Sequence, residues 1–188
     1  MIKNNKSAFL TILVTVILCI SLVLLPTRHQ AQDVASCLAI ANVLASLSVT
    51  SVQDLNFGDC LQGVAKSIPN NDAANAGVFQ VTGEPGAGVS MYIALPAYLA
   101  TPTGDDRMNV LFGVTDCSID STGNVDPSTF GDGWQDINPY ALPNTLVVGS
   151  AVPSRTAVFL GGEVVPSVDQ TAGAYAAEII ITVAYNGN

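Results

Sequence analysis

Gly173-Ala-Tyr-Ala-Ala-Glu-Ile-Ile-Ile-Thr-Val-Ala-Tyr-Asn186 alternates an apolar face, Tyr175, Ala177, Ile179, Ile181, Val183 and Tyr185, with a mixed one, Ala176, Glu178, Ile180, Thr182 and Ala184. A period of two marks a half-buried β-strand, because successive side chains of extended chain point to opposite sides. Near the other end the pattern recurs, with Cys37, Ala39, Ala41, Val43, Ala45, Leu47 and Val49 apolar at every second position. Both ends of the chain therefore read as strands.

Short apolar runs alternate with turn-rich stretches in between. Candidate strands are Leu47–Val52, Gln53–Phe57, Gly77–Thr82, Val89–Leu95, Asn109–Val114, Thr145–Val148, Ala157–Leu160 and Ala174–Tyr185. Separating some of them are Pro69-Asn-Asn-Asp72, Gly83-Glu-Pro-Gly-Ala-Gly88, Thr101-Pro-Thr-Gly-Asp-Asp106 and a long stretch, Asp116–Leu142. Many short strands with Gly/Pro punctuation, and only 11% charged residues, predict an all-β fold: a single Ig-like antiparallel β-sandwich. One segment is ambiguous, since Ile40, Val43, Leu44 and Leu47 also make a helical stripe that Asp33 or Ser36 could cap. The β-formers of Leu47-Ser-Val-Thr-Ser-Val52 favour strand there.

Lys3 and Lys6 precede an uncharged run, Ser7–Leu25, after which Pro26-Thr-Arg-His-Gln-Ala-Gln32 turns polar. This pattern predicts a secretory signal peptide cleaved after Ala31, an uncleaved membrane anchor being the alternative. Val34-Ala-Ser-Cys37 looks like a lipoprotein acylation box, but it is separated from the apolar run it should abut. The expected organisation is a leader at 1–31, an N-terminal extension at 32–45 and one sandwich domain at 46–188. Losing Lys3, Lys6 and Arg28 with the leader takes the formal charge from −9 to −12. Such a surface repels nucleic acid and anionic lipid.

Chemistry-bearing constellations are sparse. Cys37, Cys60 and Cys117 follow the leader; in an oxidising compartment they allow one disulfide, Cys60 with Cys117 or its rival Cys37 with Cys60. No CxxC pair suggests metal, and the single histidine, His29, lies in the leader. Without it no Ser-His-Asp or Cys-His arrangement can form, and Lys66 is the one candidate base for a serine, so no catalytic site and no cofactor is expected. Asp105-Asp106 reads as a solvated pair, with an acid/base role its alternative. The Gly83–Gly88 turn lacks the lysine and following helix of a phosphate loop and reads as a hairpin. Asp116, Ser118, Asp120, Thr122 and Asn124, followed by Asp126, Asp132 and Asp136, offer oxygens to calcium, against which stands a simple solvated loop. Trp134, in the same stretch, is either a plug over the sandwich end or an exposed contact.

Leu55-Asn-Phe-Gly58, Val81-Thr-Gly-Glu-Pro-Gly86, Val89-Ser-Met-Tyr-Ile-Ala-Leu-Pro96, Gly161-Gly162, Gly173-Ala-Tyr175 and Val183-Ala-Tyr-Asn186, in this order, resemble the bacterial secreted family known as domain of unknown function 4402. The resemblance covers residues 36–186. More loosely, the layout is similar to spore-coat-U-type subunits of archaic chaperone–usher pili. The cysteines, the Cys37–Leu47 segment and the long acidic loop depart from both.

That second resemblance implies assembly by strand donation: a sandwich lacking its last strand exposes an apolar groove, and the extension of the next subunit fills it. Ser36–Ala45 would be the donor, with Ala39, Ala41, Val43 and Ala45 facing the groove. Burying about five small or medium apolar side chains at about 25 cal/mol per Å² supplies several kcal/mol per junction. The implied partners are copies of the chain or related subunits, a periplasmic chaperone and an outer-membrane usher, and the implied place is a cell-surface fibre. The alternative is a self-complete, secreted or surface-attached binding module that takes a carbohydrate or protein on its loops.

Overall fold

The computed structural model describes residues 10–17, 37–129 and 131–187. The chain divides into two units, Met1–Ala41 and Asn42–Asn188. In the first, residues 10–17 form a short exposed helix. Among the described residues no helix is long and apolar enough to cross a membrane. The leader expected at 1–31 and its cleavage after Ala31 fall mostly outside the described residues.

The second unit is an all-β antiparallel sandwich. Its strands are β1 (Ser48–Gln53), β2 (Lys66–Ile68), β3 (Gly77–Thr82), β4 (Gly88–Ala94), β5 (Tyr98–Ala100), β6 (Arg107–Leu111), β7 (Cys117–Asp120), β8 (Trp134–Ile137), β9 (Leu146–Val147), β10 (Arg155–Leu160), β11 (Gly162–Val165) and β12 (Ile180–Tyr185). They hydrogen-bond in three sheets, ordered β1-β3-β10-β7-β8, β2-β11-β6-β5 and β12-β4-β9. The core draws on all three: Val81, Ile119 and Val158 from the first, Val110 and Val164 from the second, Val89, Met91 and Ile93 from the third. β10 is buried on both faces, because Trp134 and Val125 cover Val78, Ala157 and Phe159 on the outer side of the first sheet.

The chain turns the corner from β10 in the first sheet to β11 in the second at Gly161. A Cβ there would lie 2.6 Å from the Asn70 nitrogen and closer still to the Ile68 carbonyl oxygen, so only glycine fits. An isolated antiparallel bridge, Ala100 with Ala176, ties β5 of the second sheet to the segment that leads into β12, through two 2.9 Å hydrogen bonds.

The alternation at the chain's C-terminal end is a strand from Ile180; residues 174–179 add only the Ala176 bridge. The expected Gln53–Phe57 strand is a loop beyond β1, and the stretch read as a loop at Asp116–Leu142 holds β7 and β8. Residues 37–47 are neither helix nor strand.

Candidate functional site

β1 and β12 are edge strands. β1 pairs with β3 and β12 with β4, and among the described residues no strand covers their other edges. The inner face of β12 is correspondingly unfinished: Ile181, Val183 and Tyr185 remain half-buried, whereas Val89, Met91 and Ile93 on the adjoining β4 are buried. On its outer face Ile180 is 52% exposed.

The two edges meet at one end. Tyr185 Oη donates to the Ala45 carbonyl oxygen at 2.8 Å and accepts the Glu84 N–H at 2.7 Å, while the Glu84 carboxylate accepts the Ala45 N–H at 3.1 Å. Gly83 makes this closure possible, since a Cβ there would lie 2.6 Å from Tyr185 Oη and 2.9 Å from Leu47 Cδ1.

A groove of about 1340 Å³, lined mainly by residues of segments 54–62 and 170–180, reaches β1 at Ser51 and β12 at Ile180. Its apolar wall is built by Phe57, Phe79, Leu99, Met108, Val164 and Ile179, from both layers of the sandwich. These residues belong to the core or pack against it, so the groove is a window onto the hydrophobic interior.

A polar network holds the segment bordering the groove. Tyr175 Oη donates to Asp106 Oδ2 at 2.6 Å, the Thr171 N–H donates to the same oxygen at 2.9 Å, and Gln170 Nε2 donates to Tyr175 Oη at 2.9 Å. The Tyr175 hydroxyl, then the Thr171 side chain and backbone N–H, hold the Asp106 carboxyl well below the usual carboxylate range. Burial first, and then Asp106 itself, raise the Tyr175 hydroxyl. Asp106 is therefore a structural acceptor here, and its neighbour Asp105 is exposed.

The expected Cys60–Cys117 disulfide is not formed: both are free thiols. Cys117 opens β7 with its side chain buried in the core, whereas Cys60 sits in the loop after Phe57 on the groove wall. Burial, and secondarily the charge of Asp116, push the Cys117 thiol up to about 12. Cys37, the partner in the rival pairing, is also free and exposed. Of the expected donor residues, Ala39 and Ala41 lie in the first unit and are exposed, Val43 is 95% exposed, and Ala45 is held by Glu84 and Tyr185.

Carboxylates of the acidic loop accept hydrogen bonds within its own turns, while Asp120 Oδ2 is buried without a hydrogen-bond partner. Asp116 accepts the Gly113 N–H at 2.6 Å, Asp120 Oδ1 accepts the Thr122 N–H at 2.7 Å, and Asp126 Oδ1 accepts the Ser128 N–H at 2.9 Å. Among the described residues no group of three or more His, Cys, Asp or Glu could hold a metal ion. Trp134 is a plug over a sheet face and not over the sandwich end: its ring stacks on Phe159 at 5.0 Å and 15°, and Nε1 donates to Asp136 Oδ1 at 3.0 Å.

Phe79, Leu99, Met108 and Val164 read in the sequence only as core positions, and their shared opening onto one groove has no local signal. No family model, curated protein or solved structure matches the chain. The likeness to the secreted and pilus-subunit families thus rests on the quoted motifs alone.

Proposed function

We propose that the protein is a structural subunit of an extracellular fibre, whose sandwich is completed by the N-terminal segment of a second copy. The observation that carries this reading is a groove with an apolar wall that reaches two edge strands, β1 at Ser51 and β12 at Ile180, each with one edge uncovered among the described residues. An incoming strand gains backbone hydrogen bonds along an edge and buries alternate side chains beneath it. The segment 37–46 has the chemistry to do so, being exposed throughout, free of charged residues and apolar at most positions. An uncharged strand also approaches this acidic chain without Coulomb cost. In this reading the leader exports the chain, and a periplasmic chaperone and outer-membrane usher are the class of machinery that keeps the groove covered before assembly.

Sedimentation of the mature chain, with and without residues 36–45, tests the reading. The intact chain forms a concentration-dependent series of oligomers; the shortened chain stays monomeric and melts higher when a 36–45 peptide is added. A shortened chain indifferent to the peptide rejects strand donation.

A self-contained binding module is the second reading. It is favoured by the exposed aromatics of the sheet faces: Tyr92 is 66% exposed, and Tyr98, 40% exposed, carries Arg107 over its ring at 4.3 Å. Such rings stack on sugars and on protein side chains.

A further inference from the structure

Resting on the strand-donation reading, the dimensions of the groove select which face of the extension enters it. Extended chain divides residues 37–44 into two faces, Cys37, Ala39, Ala41 and Val43 on one and Leu38, Ile40, Asn42 and Leu44 on the other. Ala45 is committed elsewhere, both polar groups of its backbone being held by Glu84 and Tyr185 of its own domain. The odd-numbered face is thereby reduced to one valine, one cysteine and two methyl groups.

The groove is too large for that face. It measures about 1340 Å³ and is walled by long aliphatic and aromatic side chains of both layers. Protein interiors are packed nearly without voids, and atoms lining an unfilled space lose their contacts on one side. A leucine or isoleucine brings four side-chain carbons to such a wall where alanine brings one. Leu38 is 83% and Ile40 77% exposed, so both have apolar surface to bury.

The polar pattern agrees. The even-numbered face carries one amide, Asn42, which needs hydrogen-bond partners if buried. The groove carries polar side chains in its lining, Gln62, Gln170, Thr171 and the Tyr175 hydroxyl among them. A face that is apolar but for one amide meets a lining in which polar side chains, Asp54, Asn56, Asp59 and Glu178 also among them, stand beside the apolar wall.

We propose that Leu38, Ile40 and Leu44 of one copy fill the groove of the next against its apolar wall, with Asn42 meeting polar groups of the lining and Ala39, Ala41 and Val43 turned outward. This is the opposite face to the one the alternation of small residues suggests. The strand is long enough: eight extended residues span about 26 Å against about 20 Å for the six of β12.

Two double variants of the full mature chain separate the faces without altering charge: Leu38→Gln with Ile40→Gln, and Ala39→Gln with Ala41→Gln. Assembly is read by sedimentation over a concentration series, and the fold of each monomer by its melting temperature. The first variant should need at least roughly tenfold more protein to assemble, and the second should stay within about twofold of the parent, a tenfold shift being about 1.4 kcal/mol. Leu38→Met with Ile40→Leu should assemble like the parent. If the alanine variant loses assembly, with the leucine–isoleucine variant spared or equally impaired, the face assignment is wrong while strand donation stands. If the parent assembles and neither variant is impaired, or if the parent does not assemble, donation fails and this assignment with it.

Discussion

The Tyr185 hydroxyl donates to the Ala45 carbonyl oxygen at 2.8 Å, so the end of β12 fixes the residue at which the N-terminal segment leaves the sandwich. The Glu84 backbone N–H binds the same hydroxyl and the Glu84 side chain binds the Ala45 N–H. Tyr185→Phe removes two of these hydrogen bonds while keeping the ring. A net hydrogen bond contributes about 1 kcal/mol, so thermal unfolding should show a loss of about 1–2 kcal/mol. Limited proteolysis should also cut faster just before Leu47. A variant unchanged in both respects would mean that the contact does not anchor the segment.

The Asp106–Tyr175 pair makes a prediction about acid. Asp106 is held below its ordinary range by the Tyr175 and Thr171 hydrogen bonds, so as pH falls through about 3.9 the unfolded chain binds a proton that the folded chain does not. The stability from this group is fully present near neutrality and is lost progressively below about pH 4. Asp106→Asn should melt lower at pH 7 and show a shallower decline in melting temperature in acid than the parent. Asp72 and Asp126, lowered by their own hydrogen bonds, are common to both chains and cancel from the comparison. Parallel declines would remove Asp106 from the account.

The thiols should differ in reactivity. Cys117 is buried with its thiol pushed up to about 12, and the thiolate is the reacting species. Under native conditions iodoacetamide followed by peptide mass spectrometry should label exposed Cys37 first and Cys60 more slowly, and Cys117 only after unfolding. Native labelling of Cys117 would contradict its place in the core.

Much of the sandwich was legible where side chains alternate in an uninterrupted apolar run. β3 was read with its boundaries, and β1, β4 and β10 within two residues at either end. β7 and β8 were missed because Ser118, Asp120 and Asp136 look like turn residues. Ser118 and Asp120 are nevertheless buried, in a strand paired on both sides, with β10 and with β8. β2, β5 and β11 are strands of three or four residues, too short for a periodic signal. The walls of the groove were not legible, since Phe57, Phe79, Leu99, Met108 and Val164 are far apart in the chain and come together only in the folded sandwich. Tyr175 and Asp106 stand 69 positions apart. The cysteine pairing failed because Cys60 lies in a loop at the rim of the core whereas Cys117 is buried inside it.

Hydrogen exchange at the β12 amides tests strand donation most directly, because a donated strand must pair with the edge that β4 leaves uncovered. Amides of Ile180–Tyr185 that face away from β4 should exchange rapidly in dilute monomer. They should become protected by roughly a hundredfold or more in the assembled state, as they enter a packed ladder. Assembled protein whose β12 edge exchanges as fast as the monomer's would contradict the account.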